Sequence, residues 1–240
     1  MNTFIEKFDS VSSLGYNCYI KLYFNSRKMD QETQFFDYIG TSVWSIIDLL
    51  NNDFDGMFDK SNYKIMNVMK TGDDNQFLVV NEKYFVRCKH EFKKTLDRKF
   101  GPEILNEYEI NKDELDDFIE KMKRRKERFM NMLANNNSLL FIRYEEDPTG
   151  RLDLKQFDEK FNLSYIDNLK ILSDMFKKIN PEKKIVILDI SHRHDKTEHI
   201  KEYGIIKLRM RKRIDHWKKC ADEFEKVFSN ESKFIENLEI

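Results

Sequence analysis

The final third of the chain alternates short, almost wholly apolar runs with amphipathic stretches, and this pattern constrains the fold more than any other feature. Residues 139–144 and 184–190 read as strands buried on both faces, and 204–209 as a further short strand. Residues 166–179 and 214–228 between and after them carry apolar side chains at helical spacing. Apolar strands separated by helices require a parallel sheet with right-handed crossovers. The expected fold class is therefore mixed α/β, with a small central parallel sheet flanked by helices.

The first half of the chain adds to this frame. Residues 11–14 form a strand candidate stopped by Gly15, and a helix beginning at Cys18 has Ile20, Leu22, Tyr23 and Phe24 available for burial. Ser42 is a suitable N-cap for a helix carrying Val43, Ile46, Ile47, Leu50 and Phe54. Residues 77–80 and 84–88, joined through 81–83, read as an added antiparallel hairpin that delivers His90 just past its second strand. Over 112–133 the set Leu115, Phe118, Ile119, Met122, Phe129 and Leu133 marks a long amphipathic helix, which leaves its basic cluster 121–128 to the other faces. The breaks between these elements are short turn clusters, with no repeat and no low-complexity linker, so 1–240 is read as a single domain.

Charge and cysteine usage narrow the function. Lys and Arg number 42 against 43 Asp and Glu, so no global field holds a polyanion and nucleic-acid binding would need a local patch. The basic runs Arg209-Met210-Arg211-Lys212-Arg213 and Lys123-Arg124-Arg125-Lys126 have acids beside them and read as solvated faces. No apolar run reaches the length of a membrane span, and the first residues lack the basic-then-apolar order of a leader, so a cytoplasmic protein is expected. Three scattered cysteines without CxxC spacing indicate neither a disulfide framework nor a thiolate zinc site, and they fit a reducing compartment.

Among residues able to carry chemistry, Cys18 stands first. The segment Ser13-Leu14-Gly15-Tyr16-Asn17-Cys18 puts a thiol after a glycine turn and at a helix start, where unpaired N–H groups and partial positive charge favour a thiolate. The competing reading is a core cysteine, which is how Cys88, inside an alternating strand, and Cys220, within a helix, are read. His90 can serve as base to Cys18 or be an ordinary hydrogen-bonded histidine. Asp189, His192 and His194 make an alternative ligand site, because ligands gather at the carboxyl ends of parallel strands; the other reading of 191–198 is a solvated polar loop. His192 and His194 point the same way only if that segment is extended.

Taken in order, Ser13-Leu14-Gly15-Tyr16-Asn17-Cys18, Phe36-Asp37-Tyr38-Ile39, His90-Glu91-Phe92, Arg124-Arg125-Lys126-Glu127-Arg128-Phe129 and Leu140-Phe141-Ile142-Arg143 resemble a family of unknown function described as papain-like cysteine peptidases. The resemblance spans roughly residues 11–144. Tyr38 stands where the family pattern has Trp, and Glu91 where it has Asp. The resemblance implies Cys18 as nucleophile and His90 as general base, in the order papain-like enzymes use. Asp37, flanked by Phe35, Phe36 and Tyr38, is the first choice to orient the imidazole, ahead of Asp189, and Asn17 is a candidate oxyanion donor. The implied activity is hydrolysis or transfer at an amide, ester or thioester of a peptide, protein or acyl substrate, with no metal or organic cofactor. The alternatives are a silent binding or assembly module on the same scaffold and an α/β protein that handles sugars or nucleotides.

Overall fold

The structure is a computed structural model and describes residues 2–29, 32–71, 74–88, 91–92, 110–145, 164–214 and 217–238. Five strands form the main sheet: β1 (Ser10–Ser13), β6 (Ser138–Tyr144), β7 (Lys184–Ser191), β9 (Ile205–Arg209) and β8 (Glu198–Ile200), in the spatial order β1-β6-β7-β9-β8. The first four run parallel and β8 closes the edge antiparallel to β9. The expected parallel sheet with flanking helices is present.

Side-chain alternation along these strands divides the core. Leu139 and Phe141 on β6, with Ile185 and Ile187 on β7, face the cluster under α3 (Val43–Asn51), α4 (Lys112–Asn135) and α5 (Tyr165–Ile179). Leu140, Ile142, Tyr144, Val186, Leu188 and Ile190 face the other way, onto the short α1 (Asn2–Ile5), α2 (Tyr19–Ser26) and α6 (Cys220–Asn230), which the brief helix α7 (Ser232–Glu236) follows. Both faces are dry, which is why these strands read as continuous apolar runs rather than as alternating ones.

The antiparallel part is larger than the expected hairpin. β4 (Asp74–Asn81) and β5 (Val86–Cys88) do pair, but β3 (Tyr63–Thr71) lies along β4 and β2 (Ile39–Gly40) along β5, giving a four-stranded sheet in the order β2-β5-β4-β3. β3 escapes sequence detection because its pairing with β4 is irregular between Ile65 and Asn67. Phe77, Val79 and Val86 of this sheet share one apolar cluster with Phe141 and Ile187 of the main sheet. The final helix starts later than the sequence suggests. A 3₁₀ turn, Trp217–Lys219, precedes α6, so Cys220 is the first residue of a helix rather than an interior one.

Two helix starts matter for the site. Ser42 Oγ accepts from Ser45 N–H at 3.1 Å and caps α3, as its residue type leads one to expect. Asn111 caps α4 through Glu114 N–H, with Asp113 and Glu114 in the first turn where the helix dipole favours acids. Among the described residues no helix is long and apolar enough to cross a membrane.

Gly15 fixes how the chain leaves β1. Its φ is +73°, and a Cβ there would lie 2.3 Å from Thr41 Oγ1, so the residue is required both for backbone angle and for space. Gly15→Ala should therefore lower stability by about 1–3 kcal/mol, read as a lower urea midpoint with the slope unchanged. A midpoint equal to that of the parent protein would show that the turn is not strained.

Candidate functional site

The Cys18 turn is built by consecutive constraints. Leu14 N–H donates to Ile142 O at 3.0 Å, the last rung that ties this segment to β6. Gly15 N–H then donates to Ser13 Oγ at 3.1 Å, and both Gly15 and Tyr16 take positive φ, at +73° and +71°. Asn17 Oδ1 accepts from Tyr19 N–H at 3.0 Å, and Cys18 is the N-cap residue of α2, its carbonyl accepting from Leu22 N–H at 2.9 Å. Asn17 thus has a turn-and-cap role through its oxygen, and its two N–H donors lie on the opposite end of the same planar amide. Ile20, Tyr23 and Phe24 bury the inner side of α2, while Cys18 is only half-buried.

Asp37 lies in a tight turn after fully buried Phe35 and Phe36, with Tyr38 at φ +65°. Its carboxylate is 2 % exposed. Oδ2 accepts from Gln34 N–H at 2.8 Å and faces Lys21 Nζ at 3.5 Å, and Oδ1 has no hydrogen-bond partner among the described residues. Burial pushes the Asp37 carboxyl above its ordinary range, opposed by Lys21, the Gln34 N–H and Arg125. Lys21 stands one helical turn after Cys18, and Asn25, a turn further on, donates to Tyr38 Oη at 2.9 Å. The Phe36-Asp37-Tyr38 segment therefore runs along the side of α2 that continues from Cys18.

His90 lies outside the described residues. Its described neighbours border the same region: Cys88 pairs with Ile39, two residues after Asp37, and Glu91 contacts Lys121 at 2.5 Å and Arg125 at 3.8 Å. Arg125 corrects the reading of the α4 basic cluster as wholly solvated, for it is 7 % exposed and close enough to Asp37 to influence its charge. Its place in the chain, three after Met122 and four before Phe129, puts it in the apolar stripe, and that spacing was the available signal.

At the carboxyl end of the main sheet the inward rows finish in charge. Arg143 on β6 sits opposite Asp189 on β7, which in turn sits opposite Lys207 on β9. Asp189 is fully buried; Oδ1 accepts from Tyr165 Oη at 2.7 Å, and Oδ2 lies 2.9 Å from His194 Nε2, short of hydrogen-bond alignment. Of the alternative ligand set, the structure brings Asp189 and His194 together. The chain turns at His192 and Arg193, with Arg193 N–H on Ser191 Oγ, so the extended geometry needed for His192 and His194 to point alike does not form. The expected polar loop also ends in strand β8. Among the described residues no group of three or more His, Cys, Asp or Glu is placed to hold a metal ion.

Three participants escaped sequence reasoning: Lys21, Glu145 and Tyr165. Glu145, 3 % exposed, accepts from Arg143, and burial, helped by Asp189 and opposed by Arg143, pushes its carboxyl up to about 7. Cys18 is half-buried, whereas Cys88 and Cys220 are the core thiols that the sequence leads one to expect. Cys88 and Cys220 are buried and their thiols are pushed up, Cys88 by burial and then Glu91, Cys220 by burial and then Cys18.

The fold and the site define a mixed α/β protein that presents a half-buried thiol at a helix start, one turn before Lys21, which pairs with the buried Asp37 carboxylate. The family model described as "putative papain-like cysteine peptidase" matches residues 9–163, nearly two thirds of the chain, and the chain belongs to that family. No curated protein and no solved structure matches it.

The raised Glu145 carboxyl predicts a pH dependence of stability. Between the ordinary 4.5 and about 7 the native state holds a proton that the unfolded chain has released, so stability falls as pH rises through that window, by up to roughly 3 kcal/mol. Urea unfolding at pH 4.5 to 7.5 should show that slope in the parent protein and a shallower one in Glu145→Gln; identical slopes would mean that Glu145 ionises in the native state as it does unfolded.

Proposed function

We propose that the protein is a cysteine hydrolase that acts on an amide, ester or thioester, with Cys18 as nucleophile, His90 as general base and Asp37 as the carboxylate that orients the imidazole. One observation carries this reading: in a member of a cysteine peptidase family, Cys18 is half-buried at the N-terminus of the eight-residue α2, while Cys88 and Cys220 are buried. A helix N-terminus stabilises a thiolate, and a neighbouring imidazole takes its proton.

The chemistry follows the usual acyl-transfer course. The Cys18 thiolate adds to the substrate carbonyl carbon, forming a C–S bond as the π pair moves to oxygen. Donors at the helix start, with the Asn17 amide N–H groups beside them, stabilise that oxyanion. The oxyanion collapses, the bond to the leaving group breaks, and His90 returns its proton to that group. Water, deprotonated by His90, then cleaves the acyl-thioester, releasing the acid and restoring the thiol.

Two features support the assignment to Asp37 over Asp189. Asp37 Oδ1 and Asp189 Oδ2 both lack a hydrogen-bond partner among the described residues, but Asp189 Oδ2 already has the His194 imidazole 2.9 Å away and its Oδ1 accepts from Tyr165. Asp37 also lies beside residues that flank position 90 in the chain.

The test is alkylation with limiting iodoacetamide at pH 6 followed by peptide mapping. Cys18 should be modified well ahead of Cys88 and Cys220, since an activated thiol titrates at about 3.5–7.5 rather than about 8.5. Its labelling should fall in His90→Ala, and hydrolysis of thioester probes should vanish in Cys18→Ala. Equal labelling of the three cysteines, or labelling of Cys18 indifferent to His90, would reduce Cys18 to a structural residue.

A further inference from the structure

Arg143 touches both segments that carry the candidate site, and we propose that it is a positioning residue which sets where the turn Leu14–Cys18 presents the sulfur. The proposal rests on the reading of Cys18 as nucleophile. It concerns a residue that touches neither the sulfur nor the substrate, and acts through the backbone.

Each of the three nitrogens of the buried guanidinium donates a hydrogen bond. Nη1 donates to Leu14 O at 2.8 Å and Nη2 to Thr41 O at 2.9 Å, while Nε and Nη2 donate to Glu145 Oε2 at 3.1 and 2.5 Å. Leu14 immediately precedes the left-handed pair Gly15 and Tyr16. Thr41 immediately precedes the α3 cap Ser42 and follows β2, which begins two residues after Asp37. One planar fork therefore ties the exit of β1 and the Asp37 segment to the end of β6.

The turn is gripped from the other side as well. Arg87, on β5, donates from Nη2 to Tyr16 O at 3.3 Å, and the Tyr16 ring has Arg87 at 5.4 Å and Arg143 at 5.7 Å from its centroid. Thr41 Oγ1 adds a second donor to Leu14 O at 3.3 Å. Alternate carbonyls of the turn, Leu14 and Tyr16, are thus each held by an arginine, and Gly15 between them has no room for a side chain. Tyr16 at positive φ is a strained conformation for a bulky residue, one that persists where the surroundings over-determine it. What this grip fixes is the entry of the chain into Asn17 and Cys18, and so the angle at which the thiol meets the helix start.

A lysine keeps the charge of Arg143 but presents a single ammonium in place of a fork, so Arg143→Lys tests geometry rather than charge. The readout is the second-order alkylation rate of Cys18 between pH 5 and 9, with circular dichroism to establish that the protein is folded. Arg143→Lys should slow alkylation at neutral pH by roughly tenfold and move the inflection of the rate profile up toward that of a free thiol, about 8.5. Arg87→Lys, which likewise keeps the charge at a half-buried position that is easier to replace, should shift both in the same direction by a smaller amount.

Folded variants of both kinds with the parent's rate and profile would overturn the positioning role and leave Cys18 as nucleophile untouched. If Arg143→Lys does not fold, Arg87→Lys decides alone: an unchanged profile overturns the role and an upward shift supports it. A parent protein whose Cys18 titrates as a free thiol overturns both readings at once, and that outcome is visible before any variant is made.

Discussion

A buried guanidinium is the interaction on which the arrangement around Cys18 depends. Arg143 sits at the end of an inward-facing row whose earlier members, Leu139 and Phe141, are apolar core residues. Removing its charge from water is costly, and the cost is offset only if its donors meet good acceptors. Those acceptors are the Leu14 and Thr41 carbonyls and the Glu145 carboxylate. The two carbonyls belong to the residues just past the ends of β1 and β2, and each accepts from the guanidinium. The buried arginine and these carbonyls thus satisfy one another, with Thr41 Oγ1 a second donor to Leu14 O. Tyr16, packed over the same guanidinium, keeps water out from above.

Much of this was legible in the sequence. The parallel sheet follows from strands whose apolar runs have no polar face, and the caps Ser42 and Asn111 obey their residue types. Gly15 read as a turn, and its positive φ and contact with Thr41 supply the reason. β3 was missed because the irregular step between Ile65 and Asn67 breaks the two-residue period by which a strand is recognised. Cys220 was placed inside a helix because 214–228 is apolar at helical spacing, whereas the chain takes a 3₁₀ turn at Trp217–Lys219 before α6 begins.

The site itself was only partly readable, and the reason is that its charges are long-range partners. Lys21 on α2 meets Asp37 across a turn, Arg143 on β6 of the main sheet reaches the Thr41 carbonyl just past β2 of the other sheet, and Tyr165 reaches Asp189 from the start of α5. Nothing local marks such pairs. What the sequence does contain is the anomaly each leaves behind: a charge where periodicity calls for an apolar residue, as with Arg125 between Met122 and Phe129, or Arg143 and Asp189 at the ends of apolar rows. A charged residue in an apolar stripe implies a buried partner somewhere in the chain, and in this protein that implication points to the site rather than away from it.

The position of Cys220 sharpens what distinguishes Cys18. Both cysteines stand at helix starts, on α2 and α6, which pack together on one face of the sheet, so the helix dipole favours a thiolate at either. A helix terminus is worth roughly 0.3–1 kcal/mol at an exposed position, whereas a buried ionised group costs several kcal/mol without a partner. Desolvation therefore wins at Cys220, which is 3 % exposed and whose thiol is pushed up, and the same dipole acts unopposed by deep burial at Cys18. Their proximity adds to the contrast, because a negative charge on Cys18 raises the cost of a second one on Cys220. Under the proposed reading, selectivity between the two thiols comes from solvent access, Cys18 being half-buried and Cys220 buried.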